Sequence, residues 1–125
     1  MRVERGSSAQ HARLGSDLDL LIHAARQAPR GGGRAADDPL VRQKLAGFAA
    51  EMMVLKMSAY RNAWAIQKKG MPGPEGSTLK VFWSELDQRI KAAAIDILGP
   101  GALIQEGDPL ALDGGHWAYE ALWSR

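Results

Sequence analysis

From Asp38 to Gly70 the sequence holds one helical period without a break, and it does so on two faces. Asp38 is a suitable N-cap and Pro39 suits the first helical position. Apolar residues then recur at Val41, Leu45, Phe48, Met52, Leu55, Ala59, Ala63 and Ile66, in steps of three and four. Lys68 and Lys69 make a basic last turn, Gly70 supplies a stop, and Pro72 forbids continuation. A helix of that span is ~46 Å long at 1.5 Å per residue. A second apolar row, Ala46, Ala49, Met53, Met57, Tyr60 and Trp64, lies about 100° around the same helix. A helix apolar over so wide an arc must be covered from two sides. Either an N-terminal helix covers the second row, or a surface outside the chain does.

The segment Pro72-Gly73-Pro74-Glu75-Gly76 reverses the chain. A second helix follows, beginning near Pro74 or Ser77, with the stripe Leu79, Phe82, Leu86, Ile90, Ala93 and Ile97 and a stop at Gly99-Pro100. Before the long helix, Leu14, Leu18, Leu21, Ile22 and Ala25 form one face of a weaker helix over 9–28, with Asp17 and Asp19 expected away from it. Residues 28–38, which contain "RGGGR", read as a flexible basic connection, and 116–125 as a last short helical piece. No repeat and no strand-like alternation is visible. The fold expected is all-α, an up-and-down antiparallel helical bundle forming one domain over residues 1–125.

Composition excludes several functions. With no cysteine among 125 residues, disulfides, thiolate nucleophiles and cysteine-bound metals are ruled out. A net charge of +2 does not ask for nucleic acid, and no apolar run is long enough for a membrane span. Met1–Gln10 lacks the apolar core of a secretion signal, so a cytoplasmic protein is expected. His11, His23 and His116 are too far apart for metal spacing on one helix, and no metal site is expected. "RGGGR" follows no strand and does not form a phosphate loop. Glu75, Glu85 and Glu120 are each conceivable as a base, but each reads first as a solvated helix residue. Lys56 falls between the two apolar rows, where it either extends to water or pairs with Glu51 or, across the hairpin, Glu85. Tyr60, Trp64, Trp83, Trp117, Tyr119 and Trp123 could form a stacking platform, although helically spaced aromatics are more often core or interface.

The stretches "QKLAGFAAEMMVLKMSAYRNAW" and "GPEGSTLKVFWSELDQRIKAAAIDILGPGAL" resemble the C-terminal helical domain of acyl-CoA dehydrogenases. The likeness rests on the leucine–alanine start, the basic Lys56, Tyr60-Arg61 with Ala63-Trp64, Lys80, Ser84-Glu85 and the alanine-rich run into Leu98-Gly99. It implies an FAD enzyme with an N-terminal helical domain, a middle β domain and this bundle. There a carboxylate removes the α-proton of an acyl-CoA while the β-hydride passes to the flavin. It also implies homo- or hetero-oligomers joined through exposed apolar helix faces. On this reading the chain is a partial or truncated one, inactive alone.

Departures from the family's pattern bear on the site. The family's usual Tyr-Glu-Gly-Thr base loop is not matched: Tyr119-Glu120 is followed by no Gly-Thr, and Glu120 takes no catalytic role. The alternative position on the first helix offers Asp17 and Asp19 but no glutamate, so no catalytic residue is assigned. The flavin-contacting turn, usually Gln-x-x-Gly-Gly-x-Gly-Tyr, reads Asp96-Ile97-Leu98-Gly99-Pro100-Gly101-Ala102-Leu103, and only Gly99 matches as a cofactor-binding position. Asp96 in place of the glutamine would repel the flavin diphosphate. The Arg-x-x-Phe-Gly that usually precedes the long helix stands as "PRGGGR". Two other readings remain: a stand-alone helical-bundle interaction or structural protein without catalysis, and a weak anion-binding module using Arg26, Arg30 and Arg34.

Overall fold

A computed structural model describes residues 2–70, 75–99 and 116–117, and within these only the backbone of 2–11, 69 and 75–77. Three helices dominate: α1 (Arg2–Ala25), α2 (Pro39–Lys69) and α3 (Glu75–Leu98). The all-α bundle read from the periodicity is therefore the observed architecture.

α2 has the expected limits because its ends are chemically specified. The Asp38 carboxylate accepts the Leu40 N–H at 2.9 Å, and Pro39 follows at the first helical position. At the far end Gly70 takes the left-handed conformation (φ 71°) and donates its N–H to the Ile66 carbonyl at 2.7 Å. That φ suits glycine, which lacks the Cβ that would clash. Asp38→Ala removes the cap and is expected to lower stability by about 1 kcal/mol, read as a shift in thermal unfolding.

α1 begins earlier and ends sooner than the 9–28 expected. Between α1 and α2 the chain is ordered, which corrects the reading of 28–38 as a flexible connection. Pro29–Arg30 (β1) pairs antiparallel with Gly33–Arg34 (β2), Gly31 and Gly32 turn at positive φ, and a 3-10 turn (Ala35–Asp37) leads into Asp38. The physical reason is Arg30. Its Nη1 donates to the carbonyl oxygens of Asp96 (3.0 Å) and Ile97 (3.5 Å), and its Nε to Asp38 at 3.3 Å. A guanidinium thus caps the negative end of α3 and ties it to the start of α2.

The core is built by all three helices. Leu14, Leu18, Leu21 and Ala25 of α1 meet Val41, Leu45, Phe48 and Leu55 of α2 and Leu79, Leu86, Ile90, Ala93 and Ile97 of α3. Trp117 joins this core and is completely buried. α3 is buried along a second line as well, through Lys91, Ala94 and Leu98, because it packs against both other helices. No described helix is long and apolar enough to cross a membrane.

Candidate functional site

Two features of the bundle go beyond core packing. The first is the outer face of α2. Met53, Met57, Tyr60 and Trp64 are 70%, 66%, 62% and 61% exposed, and Ala46 and Ala49 continue the row, exposed as well. α1 does not cover this row. It lies against the core face instead, where a methyl group added at Gly15 would meet Met52 Cε at 3.8 Å. Spacing by three, four and seven sets the four large side chains in a line about 16 Å long. Lys68 Nζ sits 5.4 Å from the centre of the Trp64 ring, a cation–π contact at one end of the row.

The second feature is a buried ionic cluster between α1 and α3. Lys91, 1% exposed, donates to Asp17 at 2.7 Å and to Asp87 at 2.8 Å. Asp17 is 6% exposed, which corrects the expectation that it stands away from the apolar face. Its position explains why: it is three residues after Leu14 and four before Leu21, in line with both. The second oxygen of Asp17 accepts from His116 Nε2 at 3.0 Å, and His116 packs edge-on against Trp117 with ring centres 4.9 Å apart. A carboxylate accepts only, so this nitrogen carries the proton. The cluster thus ties α1, α3 and residues 116–117 together. No described buried side-chain polar atom lacks a partner.

The surface groove between α2 and α3 is lined by Lys44, Gly47, Phe48, Glu51, Arg89, Ala92, Ala93 and Asp96. Across it Arg89 forms two parallel hydrogen bonds to Glu51, at 2.7 and 2.9 Å. The hydrogen bond to Glu51, aided by the charges of Glu51 and Glu85, raises the Arg89 pKa against the smaller effect of desolvation. A raised cation pKa contributes stability that is fully present below the pKa of the unfolded chain and is lost only as pH rises beyond it, far above neutrality. The pair therefore adds no pH dependence near neutrality. Arg89→Gln is expected to cost less than about 1 kcal/mol, diminishing with added salt in denaturant titrations.

This pairing corrects the expected contact of Lys56 with Glu85. Lys56 is exposed and makes no ion pair among the described residues, while Glu51 is turned to Arg89, on the other side of α2. Of the proposed bases, Glu85 is exposed on α3, the side chain of Glu75 lies outside the described residues, and so does Glu120. Asp19 is exposed. His23 is exposed beside Gln27, and no described group of His, Asp and Glu could hold a metal. The six aromatic residues do not form one platform. Trp117 is in the core, Trp83 packs against it, Tyr60 and Trp64 face outward, and Tyr119 and Trp123 lie outside the described residues. Arg30 is committed to capping, which removes it from the anion-binding set with Arg26 and Arg34.

Gly99 closes α3. It has φ 80° and donates its N–H to the Ile95 carbonyl at 3.0 Å. The flavin diphosphate does not fit this end of α3. The last turn presents carbonyl oxygens and the exposed Asp96 carboxylate, and the guanidinium that reaches it, Arg30, already holds two of those carbonyls.

The long two-faced helix and the shorter helix packed against it agree with one known domain. The family pattern described as acyl-CoA dehydrogenase, C-terminal domain, matches residues 1–120. The chain belongs to the acyl-CoA dehydrogenase C-terminal domain family. No individually described protein and no solved structure matches it.

Within this acyl-CoA dehydrogenase domain, sequence reasoning missed the Asp17–Lys91–Asp87–His116 cluster and the Arg30 cap. A signal for the first existed. Asp87, Lys91, Ala94 and Leu98 recur at four, three and four residues, a second helical line beside the apolar one on α3.

Proposed function

We propose that residues 1–125 act as one helical domain of an FAD-dependent acyl-CoA dehydrogenase. The α,β-dehydrogenation of an acyl-CoA thioester then belongs to the complete enzyme, and this segment alone is inactive. Family members generally use FAD, act on acyl-CoA and are oligomeric. The observation that carries the reading is the exposed Met53–Trp64 row, an apolar strip that a bundle acting by itself would have no use for. A domain packed against other domains or subunits of a flavoenzyme needs such a strip.

Inactivity of the segment alone is supported by the state of its carboxylates. Asp17, Asp87 and Glu51 are held by cations, and Asp19, Glu85 and Asp96 stand on open surface. None of these described carboxylates stands in a closed pocket that would shield a substrate's α-proton from water. Gly99 matches the family's flavin-facing turn, and contact there would involve only its backbone and an uncharged part of the cofactor. With no span among the described helices, a cytoplasmic location is part of the proposal.

The purified chain is expected to be colourless and to reduce no artificial electron acceptor with any acyl-CoA. The same chain, tagged and recovered from cells that make it naturally, is expected in a larger assembly that shows the yellow absorption of oxidised flavin. Turnover by the isolated chain would overturn the proposed inactivity. A natural form that is monomeric and colourless would favour a stand-alone interaction protein.

A further inference from the structure

The partner of the α2 face can be narrowed by charge. α2 carries six basic side chains, Arg42, Lys44, Lys56, Arg61, Lys68 and Lys69, and a single acid, Glu51. Helical spacing puts Arg42, Lys56, Arg61 and Lys68 within about 80° of the centre of the exposed row. All four are exposed, and none makes an ion pair among the described residues. Glu51 is on the opposite side of the row and is held by Arg89. The rim of the apolar strip is therefore cationic at its start and along the half that holds Met57, Tyr60 and Trp64, with no acid of α2 in it.

A second copy docking α2 to α2 would bring these cations against their own counterparts. Like charges brought together while losing water are unfavourable. A lipid surface would satisfy the charge but not the shape. The first half of the row is Ala46 and Ala49, with Ala50 beside them, all exposed, and none has a side chain long enough to enter a bilayer. Small residues on one half and the Met53, Met57, Tyr60 and Trp64 knobs on the other suit a helix laid along α2, close at one end and interdigitated at the other.

Resting on the docking role proposed above, we infer that the α2 face receives a helix of a different polypeptide surface, apolar along its seam and bordered by glutamate or aspartate. That surface is another domain or a non-identical subunit, and self-pairing through α2 is disfavoured.

Two helical peptides with one shared leucine–alanine seam test this, one bordered by glutamates and the other by lysines. The intact chain is expected to bind the glutamate peptide about tenfold more tightly than the lysine peptide. Binding should weaken as salt rises from about 50 to about 500 mM. The triple variant Lys56→Glu, Arg61→Glu, Lys68→Glu should invert the preference. Equal binding of both peptides would overturn the acidic partner while leaving α2 as a docking face. Binding of neither overturns the inference too, and protection of the row in the natural assembly then decides separately whether α2 docks at all. Low-salt dimerisation abolished by Met57→Asp would make the occupant a second copy. Sedimentation with phosphatidylserine–phosphatidylcholine vesicles, without peptide binding, would make it a lipid surface. Either result overturns the proposal.

Discussion

Replacing Lys91 by methionine is expected to cost about 3 to 5 kcal/mol. The ammonium is enclosed by Asp17 and Asp87, whose side chains are only 9% and 15% exposed. Removing it leaves two carboxylates facing each other with little water to solvate them. The loss is therefore much more than one ion pair, because what remains is worse than what was taken away. The same reasoning predicts recovery. The triple variant Asp17→Leu, Asp87→Leu, Lys91→Met removes all three charges together and should regain most of the stability, as measured by urea titration. A Lys91→Met protein as stable as the parent would mean that the cluster is not closed off from solvent.

The second large effect compares two positions two residues apart on α2. Leu55 is fully buried and Met57 is 66% exposed. Leu55→Ala is expected to cost about 2 to 5 kcal/mol, the sum of lost transfer energy and the void left behind. Met57→Ala in the isolated chain should change stability by less than about 0.5 kcal/mol. The contrast measures the two-faced character of α2 directly, since both side chains are apolar and similar in size. A partner added back should reverse the indifference at Met57 and leave Leu55 unaffected.

How much of this was legible in the sequence depended on whether the cause was local. The limits of α2 were legible because Asp38-Pro39 and Gly70 act on the helix ends they adjoin. The apolar stripe of α3 was legible for the same reason, since period and burial coincide at Leu86, Ile90 and Ala93. Arg30 was not, because a run of three glycines reads as a loose connection. Its partners are carbonyl oxygens sixty-six and sixty-seven residues further along. Asp17 was set on the solvent side because carboxylates are rarely buried without a cation, and its cation comes from another helix. Only the rotation of α1 against α3 brings Asp17 and Lys91 together, and no local pattern specifies that rotation.

The two apolar rows of α2 were visible from spacing alone, but not which of them α1 would take. Geometry decides this: α1 shares the core face with α3, on the side marked by Gly15 and Met52. Met53 to Trp64 is left outward, and Lys56 with it, its amine extended to water rather than drawn across the hairpin.

Oxidative footprinting of α2 tests the central claim most directly. In the purified, dilute chain Met53 and Met57 should oxidise quickly and the half-buried Met52 slowly. In the natural assembly, probed in intact cells, Met53 and Met57 should become protected while Met52 stays as it was. Equal oxidation of Met53 and Met57 in both settings would contradict the claim that this face of α2 is built to be covered.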